Sequence, residues 1–345
     1  MRQSSVLRVA LGVLVVAAGL IASGELARAC GGFFSRRTLE GPRRPALSYE
    51  KTLIVFDRER QREHFVREVA FRAASEPFGF VVPTPSRPEV ASMKSPFESL
   101  EREFPFSSEL GLVGIGSRGG GVALPARAPV RVLEVKRVGS FTSYVLAAND
   151  EGALTGWLAK NGFVTTPETT PWLRRYVELG FFYVAMRYEP PSGRPNLVRT
   201  NAETVRISFD TPLAYYPYAE PEPPAGSTTG APRMLELWYV SQSRGVPVAL
   251  LTKGESSTWV RPMQAGRQFS TNAPTLLKRG FGSALELLPA PPLVVQRFID
   301  QKQSRSGFGD VLFVPDGPVN PKLDALRRFF PILDPALAAP RGATP

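Results

Sequence analysis

Alternating apolar and polar residues dominate the first half of the chain and predict strands. Lys51 to Glu59, "KTLIVFDRE", reads as a strand that ends in a charged turn. In Glu63 to Ala73, Phe65, Val69 and Phe71 share one face, and Arg67 interrupts it. Phe78 to Ser86 is a further strand, closed by Pro83 and Pro85, and Ser75-Glu76-Pro77 predicts a hairpin joining the two. Val130 to Val138 and Phe141 to Ala147 read as partners, followed by strands over Phe181 to Glu189 and Glu203 to Thr211. Further on, Met234 to Val240, Val246 to Thr252, Ser257 to Met263 and Asp310 to Pro315 are strand-like, and Leu293 to Gln301 suits either a strand or a helix.

Helical spacing is confined to short stretches. Ser95-Pro96-Phe97-Glu98 forms a capping box with proline at the first helical position, and Phe97, Leu100 and Phe104 then fall on one face. Asn149 or Asp150 can cap a second helix with Leu154, Trp157 and Leu158 inward, ended by Asn161-Gly162. Thr170-Pro171 opens a third, with Trp172, Leu173, Tyr176 and Val177 apolar, and Gly180 ends it. Pro321 to Leu333 predicts a short amphipathic helix. Strands outnumber helices and often follow one another directly. The fold class expected is α+β, mainly antiparallel sheet with three to five short helices.

The ends of the chain read differently from the middle. Arg2 and Arg8 precede an uncharged run from Val9 to Ala22, and Ala27-Arg28-Ala29 supplies small residues for cleavage. This is the layout of a secretory signal peptide over residues 1–29. The run is shorter than the roughly 20 residues of a membrane-spanning helix, so a retained anchor is the weaker alternative. Cleavage after Ala29 makes Cys30 the first residue of the mature chain. Lipidation of Cys30 is a second alternative, but Leu26 lies one place too far back for lipoprotein processing and Arg28 fits it poorly. The remainder divides into an α+β region over 30–217, a linker or long loop over 218–232, and a β-rich region over 233–335 that can belong to the same domain. Residues 336–345 form a mobile Ala/Pro-rich tail, and no transmembrane helix is expected after cleavage.

Composition sharpens this picture. The chain has 345 residues and 43% hydrophobic content, enough for a substantial core. Its 34 prolines are about twice the usual roughly 5%, which disfavours long helices. Cys30 is the single cysteine, so no disulfide can form within the chain, although export leads to an oxidising space. Cys30 is a free thiol, a lipid acceptor or half of an intermolecular bond. The formal net charge of +11 is spread along the chain without a long basic run. With export, this argues against nucleic acid as a partner and for an envelope component: a protein, an anionic lipid or a polysaccharide. Arg36, Arg37, Arg43 and Arg44 form the short basic cluster best suited to such a contact.

Five stretches occur in order: "ACGGFF" at the cleavage site, "FGFVVPTPSRPEV" (78–90), "WLAKNGF" (157–163), "YVELGFFYVAMR" (176–187) and "ISFDTPLAYYP" (207–217). Over about Ala29 to Pro217 the chain resembles a bacterial exported family, domain of unknown function 2330. The resemblance implies an exported envelope protein, with no activity, substrate or catalytic residue attached. It also implies a second cysteine just after the paired phenylalanines. Ser35 stands in that place here, so a small N-terminal disulfide loop implied by the family is missing. Read from the residues, Gly31 and Gly32 give backbone freedom, and Phe33 and Phe34 can dock in an apolar groove and pin the new terminus. Ala29, Cys30, Gly31, Gly32, Phe33 and Phe34 are therefore the candidate processing and anchoring residues. A reactive Cys30 thiol, favoured by Arg36 and Arg37, is the alternative.

Reaction chemistry is thin. The single histidine, His64, rules out sites that need two or more, and no G-x-S-x-G elbow is present. His64 falls on the strand face opposite the apolar one. Gly114 to Gly119 matches G-x-G-x-x-G, but glycines and prolines follow it where a helix must hold a dinucleotide, so it reads as a loop. No cofactor and no metal site is expected. Asp57, Glu98, Glu101, Asp150, Glu151, Glu168 and Asp210 are candidate acids for a glycosidase, which needs two of them across one cleft; Glu98 and Glu101 read as solvated. Trp157, Trp172, Trp238, Trp259 and Tyr215, Tyr216 and Tyr218 can build either a sugar or peptide platform or the core. The reading that best accommodates all this is a non-enzymatic envelope binding or scaffold protein. The alternative is a carboxylate-based hydrolase of envelope polysaccharide.

Overall fold

Asp57 shows how local chemistry starts the fold. It ends β2 (Ala46–Asp57), and its Oδ1 accepts the backbone N–H groups of Glu59 and Arg60 at 3.0 and 3.1 Å. That turn, with Gln61 at a φ of 52°, folds the chain back into β3 (Arg62–Arg72). The hairpin therefore forms at residues 58–61, and the one predicted at Ser75 to Pro77 is corrected. β4 (Phe78–Thr84) does not pair with β3. Every residue of β4 is buried, so it needs cover on both faces and sits inside a second sheet.

The computed structural model of the chain describes residues 32–35, 46–72, 78–107, 130–163, 165–188, 199–201, 204–222, 234–250, 263–300, 305 and 309–315. The predicted helix at 321–333, the tail at 336–345, Gly114 to Gly119 and most of the strand at 257–263 lie outside these residues. Strands follow one another in runs with a few helices between them, in the α+β manner, and nearly all described pairings are antiparallel.

One sheet contains five strands in the order β1 (Gly32–Ser35), β4, β8 (Phe182–Tyr188), β7 (Phe141–Ala148) and β6 (Val130–Val138). The other has nine. Its main path runs β14 (Met263–Ala265), β16 (Leu293–Asp300), β12 (Met234–Ser241), β2, β3, β10 (Val205–Asp210) and β5 (Glu89–Ser92). β9 (Arg199–Asn201) pairs with β3, and β15 (Phe269–Thr271) with β16. β12 lies parallel to β2, with Trp238 beside Leu53. The ambiguous run at Leu293 is thus a strand, because it fills the place beside β12. A small third sheet joins β11 (Ala214–Tyr216), β17 (Asp310–Pro315) and β13 (Gly245–Leu250).

The two large sheets stack, and the alternation in each strand sorts its residues. Ile54, Phe56, Phe65, Val69, Leu235, Leu237 and Phe298 face the five-stranded sheet, meeting Phe78, Phe80, Phe141 and Tyr188 in the main core. The opposite face, with Leu53, Val55, Val66, Trp238 and Val295, lies under α1 (Phe97–Glu103) and α4 (Pro274–Phe281). α4 and the 3₁₀ turn Gly282–Leu287 were not foreseen from the pattern. α1 presents Phe97, Leu100 and Phe104 inward as expected, but its N-cap is Pro96. Ser95 Oγ accepts from Phe97 N at 3.4 Å instead of closing a capping box with Glu98. Among the described residues, no helix is long and apolar enough to cross a membrane.

α2 (Glu151–Lys160) and α3 (Thr169–Glu178) pack with each other beyond the five-stranded sheet. Asp150 caps α2 by accepting from Ala153 N at 2.6 Å, and Gly162, at a φ of +84°, ends it. Phe163 then turns in over Gly79, where any Cβ would lie 2.3 Å from its ring. Asp150→Ala is expected to cost about 1 kcal/mol and Asp150→Asn a few tenths, measured by urea unfolding. Equal losses in the two variants would show that the charge, not the cap, matters.

Candidate functional site

The chemistry-bearing residues of the fold converge inside it, on the segment Leu213–Glu220. Three tyrosine hydroxyls of this segment donate to three different carboxylates. Tyr215 reaches Asp310 of β17 at 2.9 Å, Tyr216 reaches Glu50 of β2 at 3.3 Å, and Tyr218 reaches Asp300 of β16 at 2.7 Å. Two backbone amides do the same: Tyr215 N donates to Glu63 of β3 at 2.7 Å, and Ala219 N to Asp310 at 2.8 Å. Tyr176 of α3 adds a 3.3 Å bond to Asp310, and Trp172 Nε1 donates to Ala219 O at 3.2 Å. The segment is a strap, held by four acids from four strands.

Arginines compensate most of these acids. Arg67 Nε stands 2.9 Å from Glu50, with its guanidinium over the Phe80 ring. Arg305, wholly buried, stands 3.3 Å from Asp300 and 3.5 Å from Glu50, stacks over Tyr218, and donates its backbone N–H to Glu220. Burial lowers the Arg305 pKa to about 9. Arg175 Nη2 lies 4.0 Å from Asp310. Burial nevertheless raises the Asp310 pKa, against the opposing pull of Arg175 and its hydrogen bonds. Glu63 has no ion-pair partner among the described residues, and burial holds its carboxyl well above the usual range.

This network is closed to solvent. Glu50, Glu63, Asp300 and Asp310 are at most 1% exposed, which leaves a substrate no access. The cavity beside it, between the sheets, is lined by Arg67, Val69, Phe80, Phe141, Val205 and Ile207 and has room for about one water molecule. No carboxylate of the described residues lines it. Among the described residues, no group of three or more His, Cys, Asp or Glu side chains is placed to hold a metal ion.

The acids singled out from sequence do not meet. Asp57 folds the β2–β3 turn, Asp150 caps α2, Glu151 pairs with Arg174 at 2.8 Å, and Asp210 pairs with Arg62 at 2.9 Å. Glu98 is exposed as expected, but Glu101 is half-buried and ion-paired with Lys51, so the solvated reading of Glu101 is corrected. Glu168 is half-buried at the start of α3. His64 lies on the face opposite Phe65 and Val69, which it shares with Val66 of the second core, and is half-buried. Its Nδ1 meets Ser208 Oγ at 2.8 Å, and burial, with Arg62 and Arg206 nearby, lowers its pKa to about 4. Ser208 is 1% exposed, so this pair cannot receive an acyl substrate. Trp172, Trp238 and the three strap tyrosines are core residues, and Trp157 packs edge-on to Tyr144. Trp259 lies outside the described residues.

At the N-terminus, Gly32–Ser35 joins the five-stranded sheet as its edge, antiparallel to β4, with Phe33 opposite Phe80. Ala29, Cys30, Gly31, Arg36, Arg37, Arg43 and Arg44 lie outside the described residues. The residues that sequence reading missed are Glu50, Glu63, Asp300, Arg305 and Asp310. The usable signal was a charge at an inward position of an alternating strand. Glu63-x-Phe65-x-Arg67-x-Val69 and Gln296-x-Phe298-x-Asp300 both carry it.

No curated protein matches the chain. The crystal structure of baculovirus P35 is similar at a TM-score of 0.37 and 8% identity, over 79% of this chain and 98% of that one, a level that assigns neither fold nor role. A family model, described as an uncharacterized protein conserved in bacteria, matches residues 27–219, from the expected cleavage tripeptide to the strap. The chain belongs to that bacterial family, DUF2330.

Proposed function

We propose that this is an exported bacterial protein whose mature chain begins at Cys30 and works in the periplasm or at the cell surface as a non-enzymatic binding or scaffold protein. The observation that carries the reading is the junction at residues 29–32. The signal-peptide pattern ends at Ala29, and the first strand begins at Gly32. Everything before the junction has the composition of a leader, and the strand after it is paired with β4. The described acids serve caps, surface ion pairs and the buried strap, and none forms a pair facing a cleft. This supports a binding role over the hydrolase reading. The basic excess of the chain fits an anionic envelope partner.

Intact-mass measurement of the protein purified from its native host tests the export step. The expected mass is that of a chain starting at Cys30, and an added lipid would appear as a mass increment. A chain starting at Met1 and recovered from the cytosol would overturn the proposal. For the binding role, the mature chain used as bait is expected to retain a defined envelope component from solubilised envelopes. Loss of that retention on replacing Arg36, Arg37, Arg43 and Arg44 would locate the contact.

A further inference from the structure

The four acids that hold Leu213–Glu220 are not equivalent. Glu50 and Asp300 lie in ion-pairing range of Arg67 and Arg305, and Asp310 has Arg175 and three hydrogen-bond donors. Glu63 stands apart. It faces Phe56 of β2, Phe209 of β10, the Tyr215 amide of β11 and, from β12, Tyr239, whose hydroxyl is held above its usual range by burial, with Arg58 opposing and Glu63 adding to the shift. Its Oε1 has no hydrogen-bond partner among the described residues. The chain neighbours Arg62 and His64 project from the opposite face and pair with Asp210 and Ser208.

We propose that Leu213–Glu220 is a pH-responsive strap, bolted in acidic solution and released at its β3 end as pH rises, with Glu63 as the releasing group. The physical reason is the cost of a bare charge. A neutral carboxyl accepts the Tyr215 N–H at little expense, whereas a carboxylate there has no cation among the described residues to offset the loss of water. Leaving the strap lets Glu63 be solvated.

The sign follows from linkage. Because burial raises the Glu63 pKa from 4.5, the bolted state has its full advantage below that value. The advantage declines as pH climbs toward the value in the folded protein. Asp310, also raised, acts in the same direction at the other end of the strap. His64 acts oppositely. Its contribution is present above 6.5 and is lost as pH falls through about 4, on the face away from the strap. An envelope protein meets the pH of its surroundings directly, so such a strap can report it.

The test is amide hydrogen exchange on the mature chain from pH 5 to 9, corrected for intrinsic exchange rates. Strap peptides over 211–220 are compared with β7 and β8. The expected result is a strap-specific loss of protection of at least tenfold, up to about tenfold per pH unit. Glu63→Gln is expected to flatten that profile. Equal losses in the strap and in β7 and β8, a flat wild-type strap, or an unchanged fall in Glu63→Gln would each overturn the proposal. Should Glu63→Gln fail to fold, infrared spectroscopy of the wild type decides. A protonated-carboxyl band that persists above the range of exposed carboxyls and fades in step with strap protection supports the proposal, and its absence overturns it.

Discussion

Arg305→Ala is expected to destabilise the protein by about 3–5 kcal/mol in urea unfolding, with both baselines intact. The loss comes less from the missing contacts than from what they leave behind. Arg305 is wholly buried, and it neutralises Asp300 and Glu50, which are themselves at most 1% exposed. Without it, Asp300 and Glu50 lose a cation that stands 3.3 and 3.5 Å away in a dry interior. Tyr218 loses the guanidinium stacked on its ring, whereas the backbone N–H of residue 305 keeps its bond to Glu220. Typical domains are stable by about 5–15 kcal/mol, so this single change consumes a large share. Arg305→Met combined with Asp300→Asn removes the cation and one of its two buried carboxylates together and should recover part of the loss. A loss under about 1 kcal/mol in Arg305→Ala would mean that the network is hydrated and the buried ion pairs are not what hold the strap.

A chain cut to residues 30–222 is expected to show no cooperative unfolding transition, although it contains nearly all of the region that defines the family. The reason is the place of β12. It lies between β16 and β2, so the nine-stranded sheet is built from both sides of residues 218–232. The cut removes Leu235, Leu237, Tyr239, Phe298, Val311, Leu312 and Phe313, all at most 2% exposed. At about 1.5–3 kcal/mol for each large apolar side chain, their loss outweighs the whole net stability of a typical domain. It also strips Asp300, Arg305 and Asp310 from the strap and opens the edge of β2. Dispersed amide resonances and a sharp thermal transition from the fragment would show that residues 30–217 fold as an independent domain.

Tyr218, Ala219 and Glu220 show where reading the chain alone falls short. They head a proline- and glycine-rich stretch with the composition of a linker, yet all three are buried, and each is bonded to a group more than 40 positions away. Composition reports what a segment does on average, and a strap is an exception made by its partners. Arg67 is the converse case. It stood out as a break in an apolar alternation, which is the correct signal, but its meaning depended on Glu50 seventeen positions earlier.

The sequence alone determined the α+β class, most of the strands, and the ends of α2, because alternation, caps and αL glycines act within a few residues. It also carried the five stretches that mark the family. Only the tertiary structure decided which strands are neighbours, that β3 and β4 part into different sheets, and that β12 enters parallel to β2. It alone placed Glu50, Glu63, Asp300, Arg305 and Asp310 around one buried segment. The physical reason is range. Turn and cap chemistry is settled by neighbours in the chain, whereas burial of a charge is settled by whichever distant group arrives to offset it.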